Sequence, residues 1–460
     1  MARLEKPEQI ITIWGHGAAQ FMEEKTNDVA AEVALATGAE PVDSQVASDA
    51  TKPVRDEAAL NFWLPMTLSI FAFVAFYFTT KPQHEVFDYT YRVAGAFLQG
   101  RLGFSEPQPS WLNEFVPMRG GYYSVFPLGA VLANLPLAVL GKMGLIKGFP
   151  ARALASVLAA ACVYFFFQLS SVDRSSFWRR ILLAFFPVFT TWTWCNLGFA
   201  GAWQIALGFA LVGETAALYF TLLKPRPLIA GAWFALAVGN RTELGVTLPV
   251  FLYFWMFCDA VPQPQPQLSL KNRVIHNWRP IGWFLLLPVV LGLATAAYNF
   301  ARFGSVFDFG YARIPNLMKE PWYSHGLFSI KAVPWNMQKM LFEGFGDTPE
   351  FPYFRFYPFG CSIFLASPFL FLLFREGGKY RLVSWLMIGV LTFVLWYHGN
   401  PGGWQFSYRY ATVLLPWMFL LISGNGPKRL SATEVALFVV SVAINAIATY
   451  QFLWTSEIHP

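Results

Sequence analysis

Long apolar runs broken by short polar connections fill the chain from residue 58 onward. About 20 apolar residues cross a hydrocarbon core of about 30 Å. Eleven segments read as spans, near 61–80, 150–171, 179–197, 200–222, 227–240, 244–258, 280–299, 359–374, 382–397, 410–424 and 434–454. The fifth and sixth are short, with only Arg241, Thr242 and Glu243 between them, which is the pattern of an incomplete hairpin with charge at its tip. The stretch 124–143 (SVFPLGAVLANLPLAVLGKM) is apolar enough to span but carries two prolines and two polar breaks. The expected fold is an all-α polytopic membrane protein of about 11 transmembrane helices, with large extracytoplasmic loops that contain juxtamembrane helices.

The positive-inside rule decides how 124–143 is counted. If it does not cross, the short basic loops face the cytosol: Arg174/Arg179/Arg180, Lys224/Arg226, Lys271/Arg273/Arg279, Arg375/Lys379/Arg381 and Lys428/Arg429. If it crosses, all of those charges move outside. It is therefore read as a re-entrant or interfacial helix, with the N-terminus cytoplasmic and the C-terminus outside. The outer face then holds a loop at 81–149, a second at 300–358 and the short connection 397–410. Loops of that length in a compact protein are usually functional. The segment VPQPQPQ at 261–267 reads as a polyproline spacer. No internal repeat is evident, which counts against inverted-repeat transporter plans.

Composition agrees with a lipid solvent. Hydrophobic residues make up 55% of the chain and charged ones 13%, against roughly 25% charged in soluble proteins. A soluble enzyme, a secreted disulfide scaffold and a disordered protein are excluded. Net charge is unevenly placed. Residues 1–57 carry eleven acids against five bases and read as a flexible acidic cytosolic tail, with partner docking as the alternative role, whereas 58–460 carries sixteen acids against twenty-eight bases. These bases are scattered singly between apolar runs, so nucleic acid is not the expected partner; anionic lipid head groups or phosphates are. Cys162, Cys195, Cys258 and Cys361 lie in or beside apolar stretches without paired spacing, which argues against redox chemistry and structural zinc.

Chemistry-bearing residues collect in the outer loops. Asp88 lies just past the first span, before the helix-compatible YRVAGAFLQG. A partly desolvated acid there suits a general base; on the residue alone, a carboxylate that caps the helix or pairs with its dipole is the favoured reading. His84 and Asp88 are four apart, but no HExxH or DxD supports a metal, so His84 and Glu85 read as a solvated polar face. Next come Glu114, Arg119 and Tyr122 in EFVPMRGGYYSVFPLGA, with Arg119 either an anion clamp or a snorkelling anchor. Arg241 at the hairpin tip is expected to face an aqueous cavity and to meet a phosphate; Glu243 is its bland partner, and Glu214 is assigned to bundle packing. The second loop offers Arg302, Asp308, Tyr311 and Arg313, and the last connection His398 and Arg409. PEFPYFRFYPFG at 349–360 reads as an aromatic belt.

Taken in order, FDYTYRVAGAFLQG, GGYYSVFPLGAVLANLP, NRTELGVTLP and GGWQFSYRYATVLLP resemble the juxtamembrane and loop motifs of the integral-membrane GT-C glycosyltransferases, a superfamily that includes protein O-mannosyltransferases and lipid A aminoarabinose transferases. The resemblance covers roughly residues 60–425. It implies a transferase of the cell envelope, in a bacterial inner or plasma membrane, moving a sugar from a polyprenyl-phosphate donor to a lipid, glycan or protein acceptor outside the cytoplasm with inversion. Asp88 would be the catalytic base and Arg241 would contact the donor phosphate. Arg119, Arg409, Tyr122, Arg302, Tyr311, His398 and Glu114 would line the substrate cavity. Many relatives carry two adjacent acids where this chain has Asp88-Tyr89, which puts a carboxylate-dependent metal requirement in doubt; no cofactor is assigned, and a divalent metal stays open. Asp88→Asn is then expected to abolish turnover and leave folding intact. A flippase for a lipid-linked anion and a scaffold recruiting partners through the acidic tail are the rival classes.

Overall fold

Helices form where the apolar runs predict them, but prolines and threonines cut several of those runs short. The computed structural model describes residues 53–82, 86–173, 175–257, 270–349 and 351–458. The expectations for residues 1–52, His84, Glu85, Arg174, Cys258 and the 261–267 spacer lie outside them. Contacts divide the chain into Met1–Trp63 and Leu64–Pro460. The described part of the first is the opening of α1 (Pro53–Thr79).

The second unit continues with α2 (Tyr89–Phe97), a hairpin of β1 (Phe115–Met118) and β2 (Gly121–Ser124), α3 (Leu128–Lys142), α4 (Ala151–Leu169), α5 (Phe177–Phe189), α6 (Thr193–Gly198), α7 (Ala202–Leu222) and α8 (Pro227–Asn240). A 3-10 turn at Thr242–Thr247 leads into α9 (Leu248–Phe257), followed by α10 (Leu270–Phe303) and α11 (Val333–Leu341). A second hairpin pairs β3 (Phe345–Asp347) with β4 (Phe354–Phe356). Then come α12 (Ile363–Ala366), α13 (Arg381–Tyr397), a 3-10 turn at Arg409–Leu414, α14 (Leu415–Gly424) and α15 (Ala432–Trp454). The protein is mostly helical.

Among the described residues, five helices are long and apolar enough to cross a membrane: Phe62–Thr79, Ala151–Asp173, Ala202–Leu222, Asn277–Phe303 and Ala432–Trp454. The other expected spans are shorter. The run at 179–197 breaks between α5 and α6, where the hydroxyls of Thr190 and Thr191 donate back to the carbonyls of Phe186 (2.8 Å) and Pro187 (2.6 Å). Such back-bonding competes with helix continuation. The run at 359–374 is split by Ser367-Pro368 into the four-residue α12 and a 3-10 turn at Pro368–Phe374. The ambiguous 124–143 becomes α3, whose 15 residues reach about 22 Å, less than a hydrocarbon core. It lies against α2, where the Asn134 side chain donates to Thr90 Oγ1 at 3.1 Å.

Helices approach closely through glycine, as apolar bundles require. A Cβ on Gly213 of α7 would lie 2.7 Å from the Trp233 carbonyl of α8. One on Gly231 of α8 would collide with the Phe284 carbonyl of α10, and one on Gly129 of α3 with the backbone of Gly239.

At one end of α14, the start of α5 and the connections at 375–380 and 424–431 meet around Arg179. Read from sequence as part of a basic solvent-facing loop, Arg179 is fully buried instead. Its Nε donates to Glu434 Oε1 (2.9 Å), and its terminal nitrogens donate to Ser175 Oγ (2.7 Å) and to the carbonyls of Ile422, Ser423 and Asn425 (2.6, 2.8 and 3.1 Å). Glu434 also closes a capping box with Ser431 at the start of α15, a pairing the Ser-x-x-Glu spacing encodes.

The two long loops meet in a core of their own. Tyr89, Val93, Phe115, Val116, Phe126 and Val131 from the first pack with Phe303, Ile314, Leu317 and Tyr323 from the second. The third connection joins them through a bridge between Phe328 and His398. This loop layer lies at the other end of α14, where the 3-10 turn at Arg409–Leu414 leads into it.

Candidate functional site

Where the connections at 81–149, 300–358 and 397–410 converge they enclose a cavity of about 340 Å³. Glu114 and Asn113 come from the first loop, Tyr311 and Glu320 from the second, and Asn400, Arg409 and Tyr410 from the third; Trp203 at the start of α7 forms part of the wall. The volume lies in the range of ligand sites, and a wall that combines aromatic and aliphatic side chains with a few convergent polar groups is their usual chemistry.

Glu114 owes its position to the β1–β2 hairpin, which begins one residue later. That hairpin closes over Arg119 and Gly120, with φ of 52° and 74°. Two successive left-handed residues make the tight turn whose twist matches paired strands. Trp203 is held by the Phe126 ring at 4.2 Å and faces Tyr311 at 6.4 Å. Arg409 is fixed from behind: its backbone N–H donates to Gln405 Oε1 (3.2 Å), while the Gln405 amide donates to the Pro401 carbonyl (3.0 Å). Gly402 sits inside this fold-back at φ 121°, and a Cβ there would run into the Gln405 side chain.

Two charged groups in the wall are incompletely satisfied. Glu114 is partly exposed as a residue, yet its Oε2 is buried and has no hydrogen-bond partner; Arg409 is 7% exposed and its Nε has none either. Buried polar atoms are nearly always paired, so an unpaired acceptor and an unpaired donor on one cavity mark a place for a ligand. Burial pushes the Glu114 carboxyl up to about 8, against the pull of the Arg409 charge and the Trp203 side chain, with Glu320 adding a smaller upward push. Burial also raises the Tyr311 and Tyr323 hydroxyls, which share a hydrogen bond of 3.3 Å, and lowers His398, keeping its imidazole neutral.

The expected site residues divide accordingly. Glu114, Tyr311 and Arg409 line the cavity. His398 packs one layer behind, its ring 6.1 Å from those of Tyr311 and Tyr410. Arg241 lies over the Tyr410 ring at 4.8 Å and is neutralised by Glu243 at 2.6 Å. It touches the cavity wall from outside.

The rest are placed elsewhere. Asp88 is the N-cap residue of α2, and its Oδ1 accepts from Arg92 Nε at 2.6 Å. Burial raises its carboxyl and Arg92 opposes the shift, but Asp88 is not among the residues lining the cavity. Arg119 is exposed at the hairpin tip, and Tyr122 lies within β2 opposite Pro117. Arg302 is fully buried, bonded to the carbonyls of Ser124 and Phe126 and to Asn299 Oδ1 (2.7 Å), with Tyr298 stacked on it at 3.6 Å. It fastens the end of α10 to the start of α3. Sequence reasoning did not single out Trp203, Glu320, Asn400 or Tyr410 as site residues. Only the run of polar and aromatic residues at 397–410 signalled any of them. Among the described residues no three His, Cys, Asp or Glu side chains gather as a metal site.

No protein-family model, curated protein or solved structure matches the chain.

Proposed function

We propose that the protein transfers a sugar from a polyprenyl-phosphate donor to an acceptor on the extracytoplasmic side of a membrane. In this reading the long and short apolar helices together make the roughly eleven crossings that the apolar runs predict, and the cavity opens away from the cytosol. One observation carries the reading: a carboxylate and a guanidinium line one cavity, and each keeps one buried polar atom without a hydrogen-bond partner. A single displacement at an anomeric carbon needs those two groups.

Glu114 takes the proton of the acceptor hydroxyl as its oxygen bonds to the anomeric carbon. The bond from that carbon to the phosphate oxygen breaks on the opposite face, and the electron pair leaves with the phosphate. Arg409 neutralises the departing charge, a charge-assisted contact that contributes about 1.5–3 kcal/mol. The ring faces of Trp203 and Tyr311 hold the sugar. A base whose pKa lies near the working pH is the most effective, which favours Glu114 over Asp88, already engaged by Arg92. No covalent intermediate on the enzyme is required.

The test is transfer of radiolabelled sugar from polyprenyl-phosphate donors by the purified protein in nanodiscs, with wild type and Glu114→Gln in parallel. Transfer by the wild type alone supports the reading. Movement of the lipid-linked sugar between leaflets without transfer would replace it with a flippase.

A further inference from the structure

We infer that the Arg241–Glu243 pair, placed behind Tyr410, fixes at one the charge of the anion that the cavity accepts. Glu243 is then the residue that separates a singly charged oxyanion, such as a phosphodiester, from a diphosphate. The inference rests on the anion-binding half of the transferase reading and adds what sets its selectivity. It needs neither a sugar nor a lipid on the ligand.

Two guanidinium groups share one ring of the wall. Tyr410 lines the cavity, with Arg241 4.8 Å and Arg409 5.2 Å from its ring centre. Both distances run to the same point, so the two charges lie no more than 10 Å apart. Their counter-ions differ. Arg241 holds Glu243 Oε1 twice, through Nε at 2.7 Å and Nη2 at 2.6 Å. Among the described residues no carboxylate comes within ion-pair distance of Arg409. Its Nη1 donates to the Trp404 carbonyl at 3.4 Å, and its Nε has no partner. Buried charges are ordinarily paired, so this wall lacks one negative charge and not two.

A brace is built otherwise in this protein. Arg179 and Arg302 bond to carbonyls of segments far away in sequence. Glu243 stands two residues from Arg241 in the same connection and ties no remote segment to it. What the pair does is cancel a charge beside the cavity. Both side chains are mostly buried, 13% and 16% exposed, where salt screens weakly. At an effective dielectric of about 20, a unit charge ~10 Å from an anion changes its binding roughly tenfold. The neutral His398 imidazole records this reach. Burial lowers it most and its bond to Asn400 opposes that, while Arg241 and Arg409 press it down and Glu243 pulls it up.

Calorimetry on the purified protein in maltoside micelles, free of divalent metal, tests the inference with two anions: dimethyl phosphate, which carries one charge, and inorganic pyrophosphate, which carries more. The pH is held below the Glu114 value of about 8, which keeps that carboxyl protonated. The wild type is expected to bind dimethyl phosphate at least as tightly as pyrophosphate, and Arg409→Ala to bind neither. Glu243→Gln leaves Arg241 charged and should shift the preference toward pyrophosphate at least ~3-fold. Arg241→Gln leaves Glu243 charged and should shift it the other way by as much. The double variant, Arg241→Gln with Glu243→Gln, removes both charges and should return the preference to within ~2-fold of wild type. A bracing role would weaken both anions alike in all three variants and leave the preference flat.

That flat preference, or a wild type that favours pyrophosphate, overturns the inference and leaves the transferase reading in place so long as Arg409→Ala loses binding. If Glu243→Gln does not fold, Arg241→Gln and the double variant decide between the same two outcomes. No binding of either anion by the wild type, or binding kept in Arg409→Ala, removes the phosphate role of Arg409 and overturns both readings.

Discussion

Glu114 and Arg409 line the same cavity from loops nearly three hundred residues apart, and each keeps one buried polar atom without a partner. Their charges interact: the guanidinium holds down a carboxyl that burial pushes up to about 8. Either group alone in that wall would be an unexplained expense of folding; together they make a site for a ligand with both a donor and an acceptor.

Glu114→Gln is expected to reduce turnover at least ~10²-fold, with the Kd for donor changed little. Asp88→Asn should keep turnover within tenfold, because it removes only an i,i+4 ion pair and a helix N-terminal charge, together roughly 0.5–1 kcal/mol of stability. Steady-state kinetics of the two variants decide which carboxylate is the base. Loss in Asp88→Asn and survival in Glu114→Gln would return that role to Asp88.

Two pH effects follow from the raised Glu114 carboxyl. As a base it works when deprotonated, so kcat/KM should climb with pH through about 8. Arg409→Ala removes the charge that opposes burial and should move this limb to higher pH, whereas Arg409→Lys should restore it. Stability runs the other way. Between the ordinary carboxylate value and about 8 the folded chain holds a proton that the unfolded chain has lost, so stability falls as pH rises through that window. Thermal melts across pH should show this slope in wild type and a flatter one in Glu114→Gln.

Glu434→Gln should destabilise the fold by about 3 kcal/mol or more, because it leaves the Arg179 charge buried without its counter-ion. The exposed pair of Arg313 and Asp308, 2.8 Å apart, is the contrast. Asp308→Asn should change stability by no more than ~1 kcal/mol. Denaturation in matched detergent compares the two.

Gly231→Val should separate α8 from α10, since its Cβ meets the Phe284 backbone and neither helix can yield locally. Overpacking of this kind costs about 1–3 kcal/mol. Gly389→Val, on an open face, should leave the melting temperature nearly unchanged. The same melts read both.

The sequence alone determined the membrane character and most helix positions, because an apolar run of sufficient length has few alternatives to a helix in lipid. It also exposed the three polar connections at 81–149, 300–358 and 397–410. It could not tell a run that spans from one that breaks. The Thr190–Thr191 back-bonds and the Ser367–Pro368 interruption act through local hydrogen bonding that hydropathy does not record.

Only the tertiary structure decided which polar residues meet. Arg302, Arg179 and Arg409 are alike in sequence, each beside an apolar helix. The first two are surrounded by carbonyl or carboxylate acceptors and hold loops together, whereas Arg409 keeps a donor turned to a cavity. That difference depends on how far-apart segments fold over one another, and no spacing along the chain encodes it.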